Sequence, residues 1–264
     1  MSYVAITDPE VAYKVGIGQD LMRKIRDNQV DHESRIAQFL AANKHSIVED
    51  FLSCTATVAN DWPDTSLYNQ LGSSAQLLNL MDSTGEHVMQ LTTNASAATI
   101  GLVIKRERCA FRFNQDMAMF MEFRMKDPGG TAMQNIFLGL QDKAGAFQDS
   151  TDETDCIAFL KGTTAGKWRF RVASGGVATE TDNIGNRATW QKLRFELLRS
   201  GGGGTLQVRA YIDGAEISGS PFTTNIPTSV VLSPHLIARG AAAGTTDLRA
   251  DRWETRWTAV PVAA

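Results

Sequence analysis

The chain has 264 residues, 43% of them hydrophobic and 21% charged, which is enough apolar material for a sizeable core and excludes a disordered chain. Its 26 basic and 29 acidic residues leave a net charge of −3, which argues against a general nucleic-acid binder. The three cysteines, Cys54, Cys109 and Cys156, are too irregularly spaced for a disulfide framework or a CxxC zinc site, and they read as small buried thiols of a chain assembled in a reducing cytoplasm.

Residues 1–20 carry Asp8, Pro9, Glu10 and Asp20 and no apolar stretch of the signal-peptide kind. No window approaches the ~18 consecutive apolar residues of a membrane helix, so a soluble product without membrane insertion is expected. Residues 1–18, punctuated by Pro9, Gly16 and Gly18, read as an irregular arm or docking segment. Residues 19–52 lack Gly and Pro and read as a helix, with Asp20 as a cap whose carboxylate accepts from a free N–H of the first turn.

That helix carries a narrow seam of Leu21, Ile25, Asn28, His32, Ile36 and Phe39. A narrow stripe with polar residues at its centre is a coiled-coil pattern, in which a buried Asn fixes register and oligomer state. The plainer alternative is a helix packed on its own domain through Leu21, Ile25, Ile36 and Phe39.

Residues 53–264 are rich in Thr, Val, Gly and Ser and show period-2 alternation. Met119, Met121, Phe123 and Met125 alternate with Phe120, Glu122 and Arg124; Trp168, Phe170 and Val172 with Arg169 and Arg171; Leu193, Phe195 and Leu197 with Arg194 and Glu196. The same pattern runs through Leu206, Val208, Ala210 and Ile212, and through Trp253, Thr255 and Trp257. One apolar and one charged face predict antiparallel sheets with one side on the core and one in water. Turn chemistry falls between the runs: Asp127-Pro128-Gly129-Gly130, Ser174-Gly175-Gly176, the run Gly201 to Gly204 as a hairpin tip, and Asp213-Gly214 as a hairpin turn of the primed type. A mostly β chain of this kind is expected to form an antiparallel sandwich or jelly roll.

Two stretches resemble known families. WQKLRFELLRSGGGGTLQVRAYIDGAE, Trp190 to Glu216, resembles the strand–turn–strand run of concanavalin A-like lectin/glucanase jelly rolls, and DLRADRWETRW, Asp247 to Trp257, looks like their last strand. The arm and helix, TDPEVAYKVGIGQDLMRKIRDNQVDHESRIAQFL, are similar to the N-terminal attachment and trimerisation segments of tailed-phage fibre and appendage proteins, with Ile25 and Asn28 in the place of their Ile-x-x-Asn. The second resemblance implies a homotrimer in a virion assembled in the host cytoplasm. Its arm would dock on other virion proteins and its knob would face outward, toward host surface glycans.

Candidate chemistry is sparse. Glucanases of the jelly-roll fold place two carboxylates on one strand face, in the pattern E-x-D-x-x-E, which is absent. Asp149, Asp152, Glu153 and Asp155 form a polar loop whose plain reading is a solvated acidic turn and whose functional reading is a calcium site. His32, His45, His87 and His235 show no paired-ligand spacing, and neither a G-x-S-x-G elbow nor a P-loop occurs. Trp62, Tyr68 and Tyr211 are candidates for a sugar-stacking platform, whereas Trp168, Trp253 and Trp257 fall on inward positions.

The expectation from sequence is a structural virion protein without catalysis or cofactor. It has three parts: an arm (1–18), a helical oligomerisation stalk (19–52) and a β-sandwich (53–264). A stand-alone lectin-like module and a glycan hydrolase or lyase are its rivals.

Overall fold

The computed structural model describes residues 44–49, 68–71, 76–81, 87–93, 99–104, 111–113, 117–127, 133–142, 154–199, 205–240 and 246–259. The chain divides into two compact units, Met1–Lys44 and His45–Ala264, and the fold is that of the second. The predicted arm and most of the predicted stalk, with all its seam residues, lie outside the described residues.

The strands in chain order are β1 (Lys44–Glu49), β2 (Tyr68–Leu71), β3 (Gln76–Met81), β4 (His87–Thr93), β5 (Thr99–Ile104), β6 (Met117–Lys126), β7 (Met133–Gln141) and β8 (Cys156–Lys161). They continue as β9 (Trp168–Ser174), β10 (Val177–Ile184), β11 (Gln191–Arg199), β12 (Leu206–Ile212), β13 (Ala215–Glu216), β14 (Ser233–Gly240) and β15 (Thr246–Ala259). Sheet A runs β13-β12-β11-β6-β15-β4-β3, with β1 also paired to β15, and sheet B runs β10-β9-β8-β7-β14-β5-β2. Every registered pairing is antiparallel.

The two sheets close on one core. Met119, Met121, Phe123 and Met125 of β6, Leu193, Phe195 and Leu197 of β11, and Trp253 of β15 meet Trp168, Phe170 and Val172 of β9 and Ile136, Leu138 and Leu140 of β7. Phe170 is the aromatic centre, its ring 4.8 Å from Phe159, 5.2 Å from Phe222 and 5.9 Å from Phe195. Each of these apolar residues recurs at every second position, so the pleat turns a sequence period into a buried face.

Sheet B departs from simple alternation. Phe137, Cys156, Ala158, Leu160, Ala173 and Ile237 are fully buried in a second cluster on the side away from the main core. The middle of this sheet is therefore apolar on both faces, and β8 (CIAFLK) reads as a continuous apolar run rather than an alternating one.

The predicted turns lie where the chain reverses. Asp213 (φ 53°) and Gly214 (φ 83°) join β12 to β13 with Ile212 paired to Ala215, and Gly175 (φ 57°) and Gly176 (φ 83°) join β9 to β10 with Ser174 paired to Val177. The glycine run 201–204 connects the paired neighbours β11 and β12, where Arg199 opposes Leu206.

The sequence pattern predicts helix through residue 52, and the structure instead has β1 at Lys44–Glu49. Ile47 and Val48 are β-branched, and β15 supplies a pairing edge that local propensity does not show.

At one end of the sandwich, polar groups tie the sheets together. Gln191 Oε1 accepts hydrogen bonds from Trp168 Nε1 at 3.1 Å and from the Asn186 amide at 2.7 Å, while its Nε2 donates to Asp213 Oδ2 at 3.1 Å. Beside it, Arg187 Nη2 lies 3.2 Å from Asp127 Oδ2, both side chains being essentially sealed from solvent. The Asp127 amide also donates to the Arg187 carbonyl at 2.6 Å. Burial pulls the Arg187 guanidinium below its ordinary range while Asp127 opposes that shift, and burial followed by Arg187 lowers Lys161 in the same way.

Candidate functional site

The outer face of sheet A is built from the alternate positions of its strands. Facing away from the core are Phe120, Glu122, Arg124 and Lys126 of β6, Lys192, Arg194 and Glu196 of β11, Arg209 and Tyr211 of β12, and Arg249, Arg252, Glu254 and Arg256 of β15. A bulge between Ala250 and Arg252 adds Asp251, whose carboxylate pairs with Arg124, and Glu216 of β13 pairs with Arg209 at 3.2 Å. Among the described side chains, eight basic groups stand against five acidic ones on this face, although the chain as a whole is acidic.

Register arranges these groups in rows across the strands. One row is Tyr211–Arg194–Glu122–Glu254, in which Glu122 and Glu254 directly oppose each other on neighbouring strands. The next is Lys192–Arg124–Arg252, three cations in line. Like charges placed directly opposite each other cost stability, and this face holds both kinds side by side.

The carboxylates differ in their surroundings. Glu254 Oε2 accepts a hydrogen bond from Arg252 Nη2 at 2.5 Å. Its Oε1 lies in an ion pair with Arg256 and accepts no hydrogen bond among the described residues. Glu254 is only 5% exposed, whereas Arg252 and Arg256 are 45% and 44% exposed, so the surface presented is that of the guanidiniums. Glu196 is buried beneath Arg194 in the same manner. Glu122 is half-buried and makes no hydrogen bond or ion pair among the described residues.

Aromatic rings complete the face. The Arg194 guanidinium lies 4.9 Å from the Phe120 ring centroid and 5.8 Å from that of Tyr211, and Arg256 lies 5.4 Å from Phe120. Trp190, half-buried just before β11, carries Arg124 at 5.1 Å and Lys126 at 4.6 Å. These are cation–π distances. Burial, then Glu196 and Glu216, push the Tyr211 phenol up to about 12.

Of the residues singled out in the sequence, Tyr211 belongs to this face and is 4% exposed, covered by its neighbours rather than standing open. Tyr68 opens β2, and its side chain, like all of Trp62, lies outside the described residues. Asp155 is buried and accepts a hydrogen bond from the Gly175 amide at 3.0 Å, bracing the β9–β10 turn, whereas Asp149, Asp152 and Glu153 lie outside the described residues. No group of three or more His, Cys, Asp or Glu able to hold a metal occurs among the described residues. Sequence reasoning did not single out Glu122, Glu254 or Trp190. The alternation placed both glutamates on outward positions, but only the β6–β15 pairing brings them together.

No protein-family model and no curated protein sequence matches the chain. Solved structures do. A protein of unknown function from Shewanella oneidensis is similar over 100% of this chain and 99% of its own, at a TM-score of 0.51 and 12% identity. An endo-1,3-beta-glucanase from Streptomyces sioyaensis is similar over 83% and 98%, at 0.51 and 11%. Peanut lectin is similar over 84% and 100%, at 0.50 and 13%. At these identities the likeness is one of fold: an antiparallel sandwich of the concanavalin A-like lectin/glucanase jelly-roll kind. It corrects the expectation of a chain without catalysis, because an endo-1,3-beta-glucanase shares the fold.

Proposed function

We propose that this chain is a glycan-acting β-sandwich domain that holds a saccharide on the outer face of sheet A and hydrolyses a glycosidic bond with Glu122 and Glu254. The observation that carries this reading is the register pair Glu122–Glu254 at the centre of a polar, aromatic-lined sheet face. Directly opposed residues on neighbouring strands have Cβ atoms ~4.5–5.5 Å apart. Retaining glycosidases keep their two carboxyl groups at a separation of ~5–5.5 Å.

Glu122, which no described cation pairs, protonates the leaving oxygen. Glu254, its charge supported by Arg252 and Arg256, attacks the anomeric carbon through Oε1 once the bound saccharide has drawn the exposed Arg256 guanidinium off that oxygen, and water then releases the sugar while Glu122 takes back a proton. The bond broken is the glycosidic C–O bond; the leaving oxygen gains hydrogen and the anomeric carbon gains hydroxyl.

The test is release of new reducing ends from a panel of polysaccharides by the wild type and by Glu122→Gln. Hydrolysis by the wild type and a loss of ~100-fold or more in a folded Glu122→Gln variant are expected. Saccharide binding with no new reducing ends would make the face a lectin site. Neither binding nor hydrolysis would end the glycan reading.

We further propose that residues 19–43, the part of the expected stalk that precedes β1, form a trimeric stalk of a tailed-phage appendage, docked on other virion proteins through residues 1–18. The seam Leu21, Ile25, Asn28, His32, Ile36 and Phe39 is its support. Light scattering should give a trimer for the full chain and a monomer for Ile25→Asp/Ile36→Asp; equal masses would refute it.

A further inference from the structure

The ladder Lys192–Arg124–Arg252 crosses three adjacent strands of sheet A. Neighbouring strands lie ~4.8 Å apart, comparable with the length of one sugar residue in an extended polysaccharide. Three like charges opposite one another repel; among the described residues Asp251 pairs with Arg124 and Glu254 with Arg252, and Glu254 is shared with Arg256 and is itself buried. Lys192 is exposed, Arg124 is 32% exposed and Arg252 stands further open. Such a row costs folding energy and is repaid when an anion with matching spacing lies across it. The Trp190 ring, beneath Arg124 and Lys126, holds these two cations at the same end of the face.

We propose that this ladder makes the face a site for an acidic polysaccharide, a chain bearing carboxylate or sulfate groups on successive sugars. A chain laid across the strands with its anions over Lys192, Arg124 and Arg252 passes beside the Glu122–Glu254 row. The ladder selects the ligand by charge while the neighbouring row supplies the carboxylates. The net charge of −3 hides this, because the described side chains of this face carry eight basic groups against five acidic ones. The inference rests on the glycan reading of this face and names its substrate class.

The experiment is titration calorimetry at roughly physiological salt, with polygalacturonate, dextran sulfate, a neutral mixed-linkage β-glucan and single-stranded DNA as ligands. It compares the wild type with Lys192→Gln/Arg252→Gln and with Lys167→Gln/Arg171→Gln, which removes equal charge from sheet B and its flank. The expected result is binding of polygalacturonate, dextran sulfate or both, in preference to the neutral glucan and to DNA. The ladder variant should lose ~10-fold or more and show a shallower salt dependence, while the sheet B variant stays within about 2-fold. The two anionic arms separate carboxylate from sulfate recognition.

Equal binding of the neutral glucan would overturn the inference and leave the glycan face standing. DNA bound as tightly as the polysaccharides, or equal losses in the two variants, would reduce the ladder to diffuse positive charge and overturn it as well. If no polysaccharide binds, both readings fall.

Discussion

Replacing Asp127 by Asn removes one half of the buried pair with Arg187 and leaves the backbone bond between the same two residues intact. At 3.2 Å and an effective dielectric of about 20, the attraction between the two charges is about 5 kcal/mol. Desolvation offsets much of that while both partners are present, but in Asp127→Asn the guanidinium stays buried without its counter-charge. The expected loss is therefore ~3–5 kcal/mol, with a fall in melting temperature of roughly 6–20 °C for a unit of this size. Lys161, disfavoured by burial and by Arg187 and supported by Asp127, loses that support too. Denaturant unfolding followed by tryptophan fluorescence is a suitable assay, since Trp168 lies 5.9 Å from the Arg187 guanidinium. A double-mutant cycle with Arg187→Met should show a coupling of ~2–3 kcal/mol, with the double variant more stable than the sum of the single losses allows. A loss below ~1 kcal/mol in Asp127→Asn, or no coupling, would mean that the pair is hydrated in solution, and the account of this end of the sandwich would fail.

Phe170→Ala empties the aromatic centre of the core and should cost ~3–5 kcal/mol by the same unfolding assay. Gly214→Val places a β-branched residue at φ 83° where a Cβ meets nothing within 4 Å, so the backbone alone should cost ~1–2 kcal/mol, and Gly214→Asn should recover most of it. Tyr211 should ionise near 12 in an absorbance titration, as a late component that Tyr211→Phe removes. Because its folded pKa lies above the unfolded value, its contribution to stability is complete below about pH 10 and is lost as pH rises toward 12. Unfolding midpoints across that window should fall more steeply in the wild type than in Tyr211→Phe.

Much of the fold is legible in the chain itself. The apolar positions of β6, β9, β11, β12 and β15 repeat every second residue, and that period is a local property which pleating converts into a face. Asp213-Gly214 is equally local, since the positive φ of a two-residue primed turn admits few other pairs. The apolar outer cluster of sheet B is not visible in this way, because β8 has no alternation and a short apolar run does not show which layers cover it.

The candidate site is a further step removed. Arg124 and Asp251 are 127 residues apart in sequence, and Glu122 and Glu254 are brought together by the same β6–β15 pairing. Alternation determines that both glutamates face outward, but not that they oppose each other. Register between distant strands is set by how the whole core packs, since a slip of one residue would turn every side chain of a strand to the wrong face. Composition, period and turn chemistry thus determined an antiparallel sandwich with a charged exterior. Only the tertiary structure decided which charges share a row, because row membership depends on contacts that no local stretch of this chain contains.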